Sequence, residues 1–151
     1  MPENRRTAAI ALAFALLPAS GRADGPADDL PVCCNIVVDS YRNYTRQALD
    51  RCRRSVRLRP HERVEADDSA KLRNCIAAGT RESRARLTPA LRALRTRGAR
   101  DALKHYHDIF ETALAGVEPS LEEPVAAYEQ RQSSLRHSLA HAWTRFELEE
   151  R

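Results

Sequence analysis

Hydrophobic and polar positions divide the chain into one apolar block followed by four amphipathic stripes. Residues 8–17 (Ala-Ala-Ile-Ala-Leu-Ala-Phe-Ala-Leu-Leu) carry no polar interruption. After them, apolar residues recur every three or four positions, the period of helices with one buried face. The first stripe, Cys34, Val38, Tyr41, Thr45, Ala48 and Cys52, predicts a helix over about 33–57 that Pro60 ends. The second, Leu72, Cys75, Ile76, Gly79, Leu87, Leu91 and Leu94, predicts a helix over about 68–97. Asp67 or Asp68 serves as its N-cap, and Gly98 closes it. Thr88-Pro89 within it reads as a cap followed by a first-turn proline, so this helix is expected to kink or divide near Pro89.

The third stripe, Leu103, Tyr106, Phe110, Ala113 and Val117, predicts a helix over about 99–116, broken by Gly116 and Pro119. The fourth is the most regular. Val125, Tyr128, Gln132, Leu135, Leu139, Ala142 and Phe146 form a heptad seam over about 121–149. Ser120 and Glu123 offer a capping box at its start, and Pro124 offers a later start. No segment alternates with the period of a strand. The expected fold is all-α and disulfide-stapled, an antiparallel helical bundle or two packed helical hairpins, forming one domain over residues 33–151.

The apolar block is ten residues long, against the roughly 20 that a spanning helix needs. Arg5 and Arg6 precede it, and Gly21-Arg22-Ala23 puts small residues at the positions that a signal peptidase reads. Residues 1–23 are therefore expected to be a removed signal peptide and 24–32 a flexible lead-in. No second apolar stretch follows, so no membrane span is expected. The expected location is periplasmic or secreted, where thiols oxidise.

Four cysteines then become candidate bridges. A hairpin of the first two helices turns near residue 63 or 64, which places Cys52 and Cys75 at equal height on facing stripes. Cys52–Cys75 is the expected pair, closing a loop of about 24 residues worth roughly 3 kcal/mol of chain entropy. Cys34 lies about 27 Å from Cys52 along a continuous helix. Two readings stand for Cys33 and Cys34: a bridge to a second copy or a partner, or replacement of one member of the expected pair. A homodimer through Cys33 or Cys34, or through the fourth helix's seam, follows from the first. No Cys-x-x-Cys motif points to redox chemistry.

Charge is distributed unevenly. Residues 42–104 carry 18 Arg and Lys against 7 Asp and Glu, whereas residues 105–151 carry 4 against 9. The basic half suits a protein partner or an anionic surface, with Arg46, Arg53, Arg54, Arg57, Arg84 and Arg95 as the candidate contact residues. The opposing reading is solvated helix faces, neutralised in part by the acidic half. Nucleic acid is not expected, because no aromatic residues interleave with the basic ones.

Imidazoles supply the remaining candidate chemistry. His137 and His141 are one turn apart, and His105 and His107 sit on the third helix with Glu111 one turn beyond. Such groups can hold zinc, nickel or copper(II). Heptad placement opposes a buried site: with Leu139 and Leu103 at a positions, His137, His141 and His105 face outward and only His107 nears the seam. Met1, the sole methionine, leaves with the leader, so a thioether copper(I) site is not expected. No phosphate loop, His-Glu-x-x-His or Gly-x-Ser-x-Gly occurs. The expected function is that of an exported, non-catalytic helical protein acting by contact, without a cofactor. The alternative is extracytoplasmic metal binding through His105, His107, His137 and His141.

Overall fold

A computed structural model of the chain describes residues 35–58, 64–66 and 68–151. The expected signal peptide and lead-in, together with Cys33 and Cys34, lie outside the described residues. Among the described residues four helices form: α1 (Ile36–Arg53), α2 (Ser69–Ala93), α3 (Arg97–Ala115) and α4 (Val125–Glu150). They form two helical hairpins, α1 on α2 and α3 on α4, which meet chiefly through α2 and α3. The all-α expectation holds, in its packed-hairpin form.

The first three helices each start where a side chain satisfies an exposed backbone N–H group. The Asn35 side chain accepts from Val37 N and donates to Ala93 O at 3.1 Å, so one residue caps α1 and ties it to the far end of α2. Asp68 accepts from Lys71 N at 2.9 Å. Thr96 accepts from Ala99 N at 3.1 Å and begins α3. At α4, Pro124 stands just before the first turn, and Glu123 reaches back to accept from Ser120 N at 3.0 Å.

Helix ends differ from the sequence reading in three places. The fourth helix begins at Val125, the later start that Pro124 offered, rather than at about 121. The second helix does not divide at Thr88-Pro89. It continues through Pro89 to Ala93, and the break falls at Leu94–Thr96. Arg100 holds this break closed by donating twice to Leu94 O, at 3.1 and 2.8 Å. Gly98 therefore lies in the first turn of α3 and terminates nothing; no described glycine has positive φ. The first helix stops at Arg53, four residues early, because Val56–Arg57 (β1) pairs antiparallel with Glu65–Ala66 (β2). Two residues per strand are too few to leave an alternating pattern in the sequence.

The core lies between the hairpins. Tyr41, Tyr106, Trp143 and Phe146 form a chain of ring contacts, with Tyr106 edge-on to Trp143 at 5.0 Å. Phe110, Leu103, Leu114 and Leu72 are fully buried beside them. Gly79 lets α2 approach closely: a Cβ there would stand 2.9 Å from Leu114 Cδ2 and 3.8 Å from the Ala48 methyl. The expected bridge is present, with Cys52 and Cys75 joined at a Cα separation of 5.6 Å. A backbone bond from Val64 N to Glu123 O, 3.1 Å, links the connection of the first hairpin to that of the second. No described helix is long and apolar enough to cross a membrane.

Candidate functional site

Two groupings of polar side chains stand out, and each crosses between helices that the sequence separates widely. The first is a string from the core to the surface. Tyr41 on α1 lies 2.6 Å from His107 Nδ1 on α3. His107 Nε2 lies 3.2 Å from Glu111 Oε1, one turn along the same helix. Arg84 on α2 then grips Glu111 with two bonds, 2.6 and 2.9 Å. The string fastens three helices together. Beside it Tyr106 donates to Thr45 Oγ1 at 2.8 Å, and Thr45 in turn donates to Arg42 O.

Burial and charge assign the protons. Burial pushes the Tyr41 phenol far above its ordinary range, with Tyr106, Glu111 and Asp108 adding to the effect, so Tyr41 keeps its proton and donates it. His107 Nδ1 accepts, which leaves the ring proton on Nε2 to be donated to Glu111. Desolvation holds the His107 pKa below its ordinary value; the Glu111 carboxylate pulls the other way and loses. The Glu111 carboxyl is held low, first by its hydrogen bond from Arg84. Every member is thus satisfied, and both ring nitrogens of His107 are occupied by bonds within the protein. The arrangement suits a buried tie between helices. It offers no free imidazole nitrogen to a metal or a substrate.

The histidines proposed for metal are not brought together. His107 is buried, 6% exposed, whereas His105, His137 and His141 are exposed. His105 lines a shallow cleft with Asp101 and Glu149 at the opposite end of α3 from Glu111. Among the described residues no group of three or more His, Cys, Asp or Glu is placed to hold a metal ion.

The six candidate arginines also part company. Arg84 is committed to Glu111. Arg46 and Arg95 are exposed, on α1 and in the α2–α3 break respectively, and Arg57 lies on β1. Arg53 and Arg54 end α1 and line a groove of about 470 Å³ together with Arg136 of α4. Val56, Leu58 and the Tyr128 ring form its apolar part, and Asp50 and Glu129 are its acids. This is the second grouping. Arg53 is half-buried there, and its pKa is lowered, first by burial and then by the charge of Arg136.

Sequence reasoning missed Tyr41 and Arg136 as members of these groupings. Tyr41 was legible as core, and Glu111 as a neighbour of His107 by its one-turn spacing. The pairing of Tyr41 with His107 spans 66 residues and left no local signal. Arg136 sits outside the basic segment, so charge counting passed over it.

No protein-family model, curated protein or solved structure matches this chain.

Proposed function

We propose that this chain is an exported, non-catalytic helical protein that works by contact, presenting the basic face of its α1–α2 hairpin to an acidic partner or anionic surface. The observation that carries this reading is a surplus of cations that the acidic hairpin leaves unanswered. Glu147, Glu118 and Glu111 take Arg42, Arg73 and Arg84. Among the described residues, exposed Arg46, Arg81, Arg92 and Arg95 have no carboxylate within 4.0 Å. Arg81 and Arg92 are three turns apart on one face of α2, and Arg95 follows directly beyond that helix. Self-neutralisation therefore covers only part of the basic half. The leader-like pattern of residues 1–23 and the Cys52–Cys75 bridge support an oxidising compartment.

Co-sedimentation with vesicles of phosphatidylglycerol or of phosphatidylcholine, alongside affinity capture from a periplasmic or secreted fraction, tests the reading. The expected result is salt-sensitive association with the anionic vesicles or an acidic protein, lost in Arg81→Glu/Arg92→Glu/Arg95→Glu. Association that survives this triple reversal, or none with either, would overturn it.

A further inference from the structure

We infer that the groove between the end of α1, β1 and the middle of α4 binds a small organic oxyanion, a carboxylate or phosphate borne on a short apolar body. This inference is independent of the contact surface proposed above, which uses other arginines. Three arginines, Arg53, Arg54 and Arg136, line one groove of about 470 Å³. That volume suits a small ligand. Among the described residues none of the three has a carboxylate within 4.0 Å. Asp50 and Glu129 share the lining, so the described charges sum to one net positive, and the acids stop short of direct pairing.

Bringing Arg53 and Arg136 together is unfavourable without an anion. Arg53 is partly desolvated, and Arg136 repels it. An oxyanion accepting from both would relieve the repulsion and form charge-assisted bonds of the kind that guanidinium makes best. The apolar part of the lining states the rest of the ligand. Val56, Leu58 and the Tyr128 ring provide a surface that inorganic phosphate would leave uncovered. Leu58 is among the few exposed large hydrophobic residues, 43% exposed.

The elements flanking the groove are tied down on both sides. Cys52, the neighbour of Arg53, is bridged to α2. Across the groove, Tyr128 donates to Val117 O at 3.1 Å, and the Gln132 side chain donates to Gly116 O, which fixes α4 against the end of α3. Basic residues at a helix C-terminus commonly answer the helix dipole, and that suffices for Arg51 and Arg53 in the last turn of α1. It does not account for Arg136, which comes from the middle of another helix.

The test is amide-resolved NMR titration of the disulfide-intact protein with octanoate, inorganic phosphate, and sodium chloride at matched ionic strength. The expected result is saturable shifts at Arg53, Val56, Tyr128 and Arg136 with octanoate, weaker ones with phosphate and none with chloride. Arg136→Gln, an exposed position, should weaken octanoate binding about ten-fold, the loss of one guanidinium bond. Arg46→Gln should leave it unchanged. Without ligand, Arg136→Gln should melt no lower than the parent at low salt, because a like-charge contact is removed. Equal shifts with chloride, or octanoate affinity unchanged in both Arg136→Gln and Arg53→Gln/Arg136→Gln, would overturn the inference. So would phosphate binding as tightly as octanoate, which would deny the apolar part of the site.

Discussion

His107 shows how one residue can be visible as a candidate and yet serve a different end. Its heptad position placed it near the seam, and Glu111 at one-turn spacing marked a local partner. The partner that decides its role, Tyr41, comes from another helix. With both nitrogens bonded, His107 becomes a pH-dependent element of stability. Its folded pKa lies below the ordinary 6.5, so the unfolded chain takes up a proton first on acidification. Its contribution is complete above about pH 6.5 and is lost as the pH falls through the folded value. Glu111, also lowered, contributes above its ordinary 4.5 and loses that contribution in stronger acid, so the two act in the same direction. Urea midpoints at pH 7.5 and 5.5 should fall on acidification, and His107→Gln should flatten that slope while lowering stability at pH 7.5. Tyr41→Phe removes the donor to Nδ1 and should cost about 1–2 kcal/mol in the same assay, the penalty for a buried acceptor left unpaired.

The elements themselves were largely legible. The stripe of α3 is buried throughout, with Leu103, Tyr106, Phe110, Ala113 and Val117 inside, and of the α4 stripe Tyr128, Gln132, Leu139, Ala142 and Phe146 are buried while Val125 and Leu135 are half-buried. Periodicity works there because one face meets another helix along its whole length. It works less well on α2, where the stripe skips from Gly79 to Leu87. Ser83 in that gap is fully buried: its hydroxyl donates to Thr80 O, so it packs as a small residue. Boundaries were harder to read: at the start of α3, Thr96 competed with the more conspicuous glycine signal of Gly98. Close approach at Gly79 was hidden as well, since a glycine in a stripe does not announce what it faces. Gly79→Val puts methyl groups where Leu114 Cδ2 already stands and should destabilise by about 1–3 kcal/mol, measured by thermal or urea unfolding. The register of Cys52 against Cys75, by contrast, followed from counting outward from the turn, because antiparallel helices of equal rise must match there.

At the scale of the whole molecule, the two hairpins are secured by different means. The α1–α2 pair has a covalent bridge, and the α3–α4 pair relies on the Gly116 carbonyl, which accepts from both Arg131 and Gln132, and on the salt bridge of Arg131 with Glu123 at 2.6 Å. Reduction should therefore act on one half first. Loss of the bridge removes roughly 3 kcal/mol. Hydrogen exchange in the presence of reductant should rise in α1 and α2 while amides of α3 and α4 keep more of their protection. Uniform loss across all four helices would show instead that the hairpins unfold as one unit. What sequence could not provide at this scale was the meeting of the hairpins, because Val64 with Glu123 and Arg42 with Glu147 join residues far apart in the chain.

The disulfide has one more consequence, concerning covalent integrity. Cys52 and Cys75 bracket the whole α1–α2 connection, 23 residues apart in sequence. A protease that cuts any peptide bond between them produces two polypeptides but not two molecules. The fragment bearing α1 stays tethered to the rest, with Asn35 still anchored on Ala93 at the far end. Nicked protein would run as a single species on a non-reducing gel and separate into two bands only when reduced, so the protein could be clipped at this connection and keep its architecture.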